Sequence, residues 1–177
     1  MTIGWSDGAS EREARVEVIR AAWRSAYRHI FSTTEIDGIF DGSLVGQGSW
    51  VAARVAPAGT LAARERGRLV GLASLGLLGG NGAELAAFYV HPDRQGRGIG
   101  LALWARALDE LGRRGCRRME VWTLARSAAR GFYEARGCTL FREGSFAVAG
   151  HREPAVAYEL DLPGPPMTGS SQSMPER

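Results

Sequence analysis

The chain of 177 residues has the length of one ordinary domain, and 45% of its residues are apolar, which is enough to build a buried core. All 22 basic residues are arginine and the net charge is only +3, so the sequence pI of about 9.3 does not indicate the strong basic field of a general nucleic-acid binder. Because lysine is absent, the chain can form neither the phosphate-binding loop that requires a lysine nor a lysine Schiff base.

The first forty residues predict one short strand and two helices. Residues 2–5 are expected to form an edge strand. Apolar residues then recur at helical spacing over 11–31, which predicts a first helix. A second, shorter helix is expected over 32–40, with Ser32 and Thr33 as candidate caps.

The middle of the chain has the patterns of β-strands. Residues 49–56 are compatible with one strand, and the runs 60–66 and 68–78 are spaced as in a hairpin. The almost wholly apolar run 83–90 predicts a largely buried strand, which ends before Pro92.

After this strand the apolar residues change from a strand period to a helical one. The remaining elements are expected to be a helix over 98–115, a strand over 116–124, a helix over 127–137, strands over 138–144 and 155–162, and a disordered tail over 163–177. This order of elements predicts one α/β (α+β) domain with a mixed sheet over residues 1–162.

Glycines recur at every second position just before the helix that begins near residue 98. They are Gly96, Gly98 and Gly100. Glycine lets the backbone approach a ligand closely, and the N–H groups of a first helical turn attract anions. Arg94 and Arg97 add positive charge beside these groups. The stretch therefore predicts a phosphate-binding loop. Leu101 stands where the dinucleotide pattern G-x-G-x-x-G needs its third glycine, which argues against a Rossmann domain.

The same stretch fits the pattern Q/R-x-x-G-x-G/A through Gln95, Gly98 and Gly100. Together with the later segment ARGFYEARGC, it resembles the GNAT superfamily of acyl-CoA-dependent N-acetyltransferases. The resemblance extends over about 16–162. It implies a GNAT-like mixed, mostly antiparallel central sheet flanked by helices, with acetyl-CoA as cosubstrate and no metal.

The resemblance also implies how the cosubstrate is held. Main-chain groups of the strand before the loop would bind the pantetheine arm and stabilise the thioester oxygen, while loop amides would bind the diphosphate. Arg126 replaces the asparagine that often helps to hold the pantetheine arm, and Cys138 replaces a common phenylalanine. The expected cofactor-binding residues are Phe88, Tyr89, Val90, Arg94, Gln95, Gly96, Arg97, Gly98, Ile99, Gly100, Leu101 and Arg126.

Two side chains are the candidate catalytic residues. Glu84 is one carboxylate on an otherwise apolar strand, so it is the candidate general base and is expected to share a face with Phe88. A role at the solvent edge of the strand and a water chain acting as the base are the alternatives. Tyr133 matches the family tyrosine that protonates the departing sulfur; the alternative is a core aromatic residue packed beside Phe132.

The acceptor is expected to be a small-molecule amine or a peptide N-terminus, bound beside Trp23 and Tyr27 of the first helix. Cys116 and Cys138 fit no metal-ligand spacing, so no metal site is expected. Neither a signal peptide nor a membrane-spanning run is apparent, which predicts a cytoplasmic protein without nucleic-acid or membrane partners. A homodimer is compatible with the sequence. The alternative function is a degenerate acyl-CoA-binding sensor or interaction module.

Overall fold

The computed structural model describes residues 1–6, 9–41 and 56–163. Within these ranges the chain forms seven strands, four α-helices and one short 3₁₀ turn. Their bounds, in chain order, are β1 Thr2–Trp5, α1 Arg12–Ala26, α2 Thr33–Asp41, β2 Ala56–Glu65, β3 Arg68–Leu78, β4 Gly82–Val90, the 3₁₀ turn Pro92–Arg94, α3 Ile99–Arg113, β5 Arg118–Leu124, α4 Ala129–Glu134, β6 Thr139–Val148 and β7 His151–Asp161. The strand expected over 49–56 and the tail over 163–177 lie, apart from residues 56 and 163, outside the described residues.

The described strands form one mixed sheet in the order β1-β2-β3-β4-β5-β7-β6. Every neighbouring pair is antiparallel except β4 and β5, which run parallel because α3 connects them as a crossover. The helices pack on the two faces of this sheet, so the predicted mixed, mostly antiparallel fold is confirmed.

The first helix ends earlier than the apolar pattern predicts. It stops at Ala26, and the chain turns so that the N–H groups of Ile30 and Phe31 donate to the carbonyl oxygen of Tyr27. Beyond the turn, Ser32 Oγ accepts from the N–H of Glu35 and so caps the start of α2. Tyr27 and Phe31 nevertheless pack in one cluster with Trp23, because the turn returns the chain to the same face.

Two apolar clusters lie on opposite faces of the sheet. One packs beneath α3 and contains Leu103, Leu111 and Met119. The other joins α1 and α2 to the end of the β6–β7 hairpin, where Val148 packs with Trp23. The face of the sheet that carries the first cluster is called the α3 face hereafter, and the face that carries the second is called the α1 face.

A hydrogen-bonded capping box begins α2 and ties it to the β6–β7 hairpin. The side-chain Oγ and the main-chain N–H of Ser32 donate to Glu35 Oε2 at 2.7 and 2.8 Å, and the N–H of Glu35 donates back to Ser32 Oγ at 3.3 Å. His151 Nε2 lies 2.6 Å from Glu35 Oε1. These bonds, those from Ser32 first, lower the pKa of Glu35 to about 2.

Replacing Glu35 by glutamine is therefore expected to lower the midpoint of urea unfolding at pH 7. The folded-state pKa lies below the ordinary value of 4.5, so the contribution of the carboxylate is fully present above pH 4.5 and is lost as the pH falls towards 2. The difference between the two proteins should shrink over that interval. Glu17→Gln, on the exposed surface of α1, is the control. A difference that stays constant with pH would show that the carboxylate charge is not responsible.

Candidate functional site

Strands β4 and β5 pair only at their beginnings. The paired residues are Gly82 with Arg118, Ala83 with Met119 and Glu84 with Glu120. Beyond this point β4 continues to pair with β3 as far as Val90, while β5 continues with β7 as far as Leu124. The two strands therefore diverge, and in the described part of the chain no strand pairs with the far half of β4 on its β5 side. We call this gap the β4–β5 opening. Its backbone edge at Phe88–Val90 can accept an extended ligand as an additional strand.

The glycine loop, residues 91–98, closes one end of the opening. Gln95 Nε2 donates to the carbonyl oxygen of Val90 at 3.1 Å, which ties the loop to the end of β4. Gly96 and Gly98 have φ values of +73° and +79°, in the left-handed region that residues with a Cβ rarely adopt. A Cβ at either position would meet no heavy atom within 4 Å. Backbone conformation, and not lack of space, therefore requires these glycines, and the surface beside them is open.

The first turn of α3 presents backbone N–H groups at this loop. Gly98 is its N-cap, and the turn contains no acidic side chain. Because the first N–H groups of a helix have no partner within the helix, they and the helix dipole form a site for an anion. The side chain of Ile99 is buried in the core and that of Leu101 is exposed. Because both side chains are apolar, these residues can bind a phosphate only through their main-chain N–H groups. Gly100 has an ordinary φ, and a Cβ there would lie 3.8 Å from Val90 Cγ2 and from Phe132 Cε2.

The predicted arginines differ in what they contact. Arg94 Nε lies 3.6 Å from Glu65 Oε2, and the side chain of Arg97 is exposed. Both line an open cleft between α1 and the β2–β3 turn. Arg126 Nη2 donates to Glu153 Oε2 at 2.7 Å, so its guanidinium is held by a carboxylate of β7.

A further arginine beside the loop was not identified from the sequence. The guanidinium of Arg136 lies 4.4 Å from the ring centroid of Phe132, and a Cβ at Gly100, in the first turn of α3, would lie 3.8 Å from that ring. Phe132 lies on α4 and Arg136 on the turn that follows it, and their spacing of four residues is the signal that could have indicated the contact.

Tyr133 lies on α4 and is only 4% exposed. Its ring packs against Trp104 and Tyr158, each with a centroid distance of 6.0 Å. Burial raises the pKa of Tyr133 well above its ordinary value of 10, and the nearby hydroxyls of Tyr89 and Tyr27 raise it further. The phenol therefore keeps its proton throughout the physiological pH range and can act as a donor.

Glu84 and Phe88 lie on opposite faces of the sheet. Ala83 and Leu85, the neighbours of Glu84, pack on the α3 face, so Glu84 points to the α1 face. Phe88 packs on the α3 face, because β4 carries a bulge: Ser74 pairs with Ala87 and Leu75 with Leu85. The extra residue reverses the alternation, and the expectation that Glu84 and Phe88 share a face is wrong.

Two side chains of the α1 face, those of Glu120 and Tyr89, were not predicted from the sequence to belong to the site. Glu120 lies directly beside Glu84 in register, and the two are 7% and 6% exposed. The bulge turns Tyr89 to this face, where its hydroxyl accepts a hydrogen bond from Trp23 Nε1 at 3.0 Å. Burial raises the pKa of Tyr89 above its ordinary value. Trp23 and Tyr27, whose ring centroids are 5.0 Å apart, are thereby brought to the opening.

In the described ranges, no group of three or more histidine, cysteine, aspartate or glutamate side chains is arranged to hold a metal ion. Nor does any helix of those ranges combine the length and apolar character needed to cross a membrane.

The sequence matches a known family and one curated relative. Residues 15–138 match the family model of the Acetyltransferase (GNAT) family. The chain is 28% identical over 152 residues to the uncharacterized N-acetyltransferase YuaI of Bacillus subtilis (strain 168), and the match covers 80% of this chain and 86% of YuaI.

Solved structures with the same fold include two acetyltransferases of 20% identity. The PaiA N-acetyltransferase of Thermoplasma acidophilum, crystallised in complex with coenzyme A, has a TM-score of 0.69, with 91% of this chain and 99% of that chain covered. The ribosomal-protein-S18-alanine N-acetyltransferase of Escherichia coli has a TM-score of 0.64, with 98% and 99% covered.

Proposed function

This chain belongs to the GNAT acetyltransferase family, and on that premise we propose that it transfers an acetyl group from acetyl-CoA to a primary amine by direct attack, with both substrates bound together. The observation that carries the proposal is the opening between β4 and β5, which has the glycine loop at one end and Glu84 where the two strands part, with the Tyr133 phenol near that of Tyr89. Acetyl-CoA supplies the activated acetyl thioester.

The residues of the opening fit such a cosubstrate. The first turn of α3 offers amides to a diphosphate, and the β5-side edge of Phe88–Val90 offers main-chain groups to an extended pantetheine arm. Residues 95–101 would hold the diphosphate, while Arg97 and Arg136 would contribute positive charge beside it.

Glu84 would accept a proton and Tyr133 would donate one, from opposite sides of the opening. A lysine-like amine with a pKa of about 10.4 is almost fully protonated at pH 7, and removing its proton costs about 5 kcal/mol. Glu84, directly or through water, accepts this proton, so that the nitrogen lone pair can form the C–N bond. As the C–S bond breaks, Tyr133 donates its phenolic proton to the sulfur, and the surplus proton of the new amide nitrogen returns to the phenolate.

The acceptor would enter from the α1 face. Trp23, Tyr27 and Tyr89 form an aromatic wall on that side of β4, and Glu84 and Glu120 lie on the same face. Aromatic and acidic groups together suit an amine that carries a positive charge before it reacts. Both a small-molecule amine and a peptide N-terminus satisfy this chemistry.

Calorimetry with acetyl-CoA, followed by a thiol-release assay across small amines, amino acids and short peptides, tests the proposal. The expected result is saturable binding of acetyl-CoA and amine-dependent release of coenzyme A. Failure of the folded protein to bind acetyl-CoA would overturn it.

Gly98→Ala is expected to weaken acetyl-CoA binding about tenfold. The substitution places a Cβ at a φ of +79°, a conformation that costs a residue other than glycine about 1–2 kcal/mol, and about 1.4 kcal/mol corresponds to tenfold in Kd. We expect the loop to relieve this strain by changing the backbone conformation that presents its amides to the ligand. Calorimetric Kd values give the readout.

Gly115→Ala is the matched control for this variant. Gly115 follows the other end of α3, has a φ of +78° and would also place its Cβ in open space. It should lose similar stability while the Kd for acetyl-CoA stays unchanged. Equal Kd values for acetyl-CoA in both variants and the wild type would show that the glycine loop does not bind the cosubstrate.

A further inference from the structure

Helix α4, which carries Tyr133, is too short to fix its own orientation. It has six residues, and a side-chain bond caps its start, in which Ser127 Oγ accepts from the N–H of Ala129 at 3.2 Å. Isolated helices of this length are unstable in water, so tertiary contacts must decide where its side chains point.

A single hydroxyl group of β7 contacts α4 at both ends of one helical turn. Tyr158 is 1% exposed, and its Oη donates to Glu134 Oε1 at 2.5 Å and accepts from Arg130 Nε at 2.9 Å. Arg130 and Glu134 are four residues apart and flank Tyr133 on the helix. Arg130 Nη1 also donates to the carbonyl oxygen of Ala125 at 3.0 Å, which joins the start of α4 to the residue that follows β5.

The protonation states suit this arrangement. Burial, followed by the hydrogen bond to Glu134, raises the pKa of Tyr158, so its hydroxyl remains a donor. The hydrogen bond with Tyr158 likewise raises the pKa of Arg130 and keeps it cationic. The ring of Tyr158 lies 6.0 Å from that of Tyr133, so the same side chain both packs against the phenol and holds the helix that carries it.

We propose that Tyr158 is a positioning residue: through Arg130 and Glu134 its hydroxyl holds α4 so that the phenol of Tyr133 faces the β4–β5 opening. The inference rests on the proposed function of Tyr133 as the proton donor. The hydroxyl of Tyr158, on β7, acts through the helix, while the buried ring packs directly against that of Tyr133.

Tyr158→Phe tests this role, because it removes the hydroxyl and retains the ring. The expected result is a fall in kcat of about tenfold with the KM for acetyl-CoA changed less than about twofold. In a Tyr133→Phe background the same substitution should cause no further fall in kcat, since the group that it positions is already absent. Glu134→Ala should reduce kcat in the same way, whereas Glu134→Gln, which still accepts a hydrogen bond from Tyr158, should restore most of it.

The outcomes separate this proposal from the one on which it rests. If Tyr133→Phe lowers kcat and Tyr158→Phe does not, the positioning role is wrong and the acid role stands. Equal losses from Tyr158→Phe in the presence and absence of the Tyr133 hydroxyl also overturn positioning. An unchanged kcat in Tyr133→Phe overturns the acid assignment and the positioning role with it. Should Tyr158→Phe fail to fold, the comparison of Glu134→Ala with Glu134→Gln, at a half-exposed side chain, decides the question.

Discussion

Tyr133→Phe is expected to lower kcat between about tenfold and a hundredfold while the Kd for acetyl-CoA remains unchanged. The variant keeps the ring that packs against Trp104 and Tyr158 and loses only the proton donor. General acids contribute rate factors of about this size or larger. The lower bound reflects the leaving thiolate, because a thiol with an ordinary pKa of about 8.5 gains from protonation at pH 7 without strictly requiring it.

The pH dependence provides a sharper test of this variant. In the wild type the raised pKa of Tyr133 keeps the donor protonated, so kcat should show no decline from its ionisation up to about pH 10. In Tyr133→Phe the deficit should shrink as the pH rises above about 8.5, because the thiolate then departs without a proton. A deficit independent of pH would contradict the role of proton donor.

Glu84→Gln is expected to lower kcat/KM for the amine about a hundredfold at pH 7. The amide has the same shape as the carboxylate but cannot accept a proton from the ammonium group. The loss should diminish as the pH approaches the pKa of the amine, about 10.4, because the free amine is then present without a base. Initial rates of thiol release between about pH 6 and 10 provide the measurement.

Glu120→Gln is the matched comparison, because Glu120 lies in register with Glu84 and is buried to the same degree. It should lose less activity than Glu84→Gln, since Glu84 lies on β4, the strand whose Phe88–Val90 edge is expected to hold the cosubstrate. A larger loss in Glu120→Gln would transfer the base role to β5. Full activity in both variants would favour a water chain.

Much of the loop could be predicted from local sequence. Gly96 and Gly98 adopt the left-handed backbone that glycine permits, and Gln95 holds the loop to β4. These features depend on residues close together in the chain, as do the capping box at Ser32 and Glu35 and the helical period of α3. Short-range steric and hydrogen-bonding preferences are sufficient to specify them.

The faces of β4 could not be predicted in the same way. The bulge opposite Ser74 and Leu75 arises from pairing with β3, and it decides that Tyr89, and not Phe88, shares a face with Glu84. The pairing of Arg126 with Glu153 joins residues 27 apart in the chain. Strand alternation along one segment contains no information about an extra residue inserted against a neighbouring strand.

The amino-acid sequence by itself determined the family, the order of the described elements and the glycines of the loop, because period, capping and backbone conformation are properties of neighbouring residues. Tertiary structure alone decided which side chains meet at the opening. Glu84 meets Glu120 through strand register, Trp23 reaches Tyr89 across 66 residues, and Tyr158 contacts α4 from another strand. Such contacts depend on how strands pair and helices pack, and a residue's distance along the chain does not fix its distance in space.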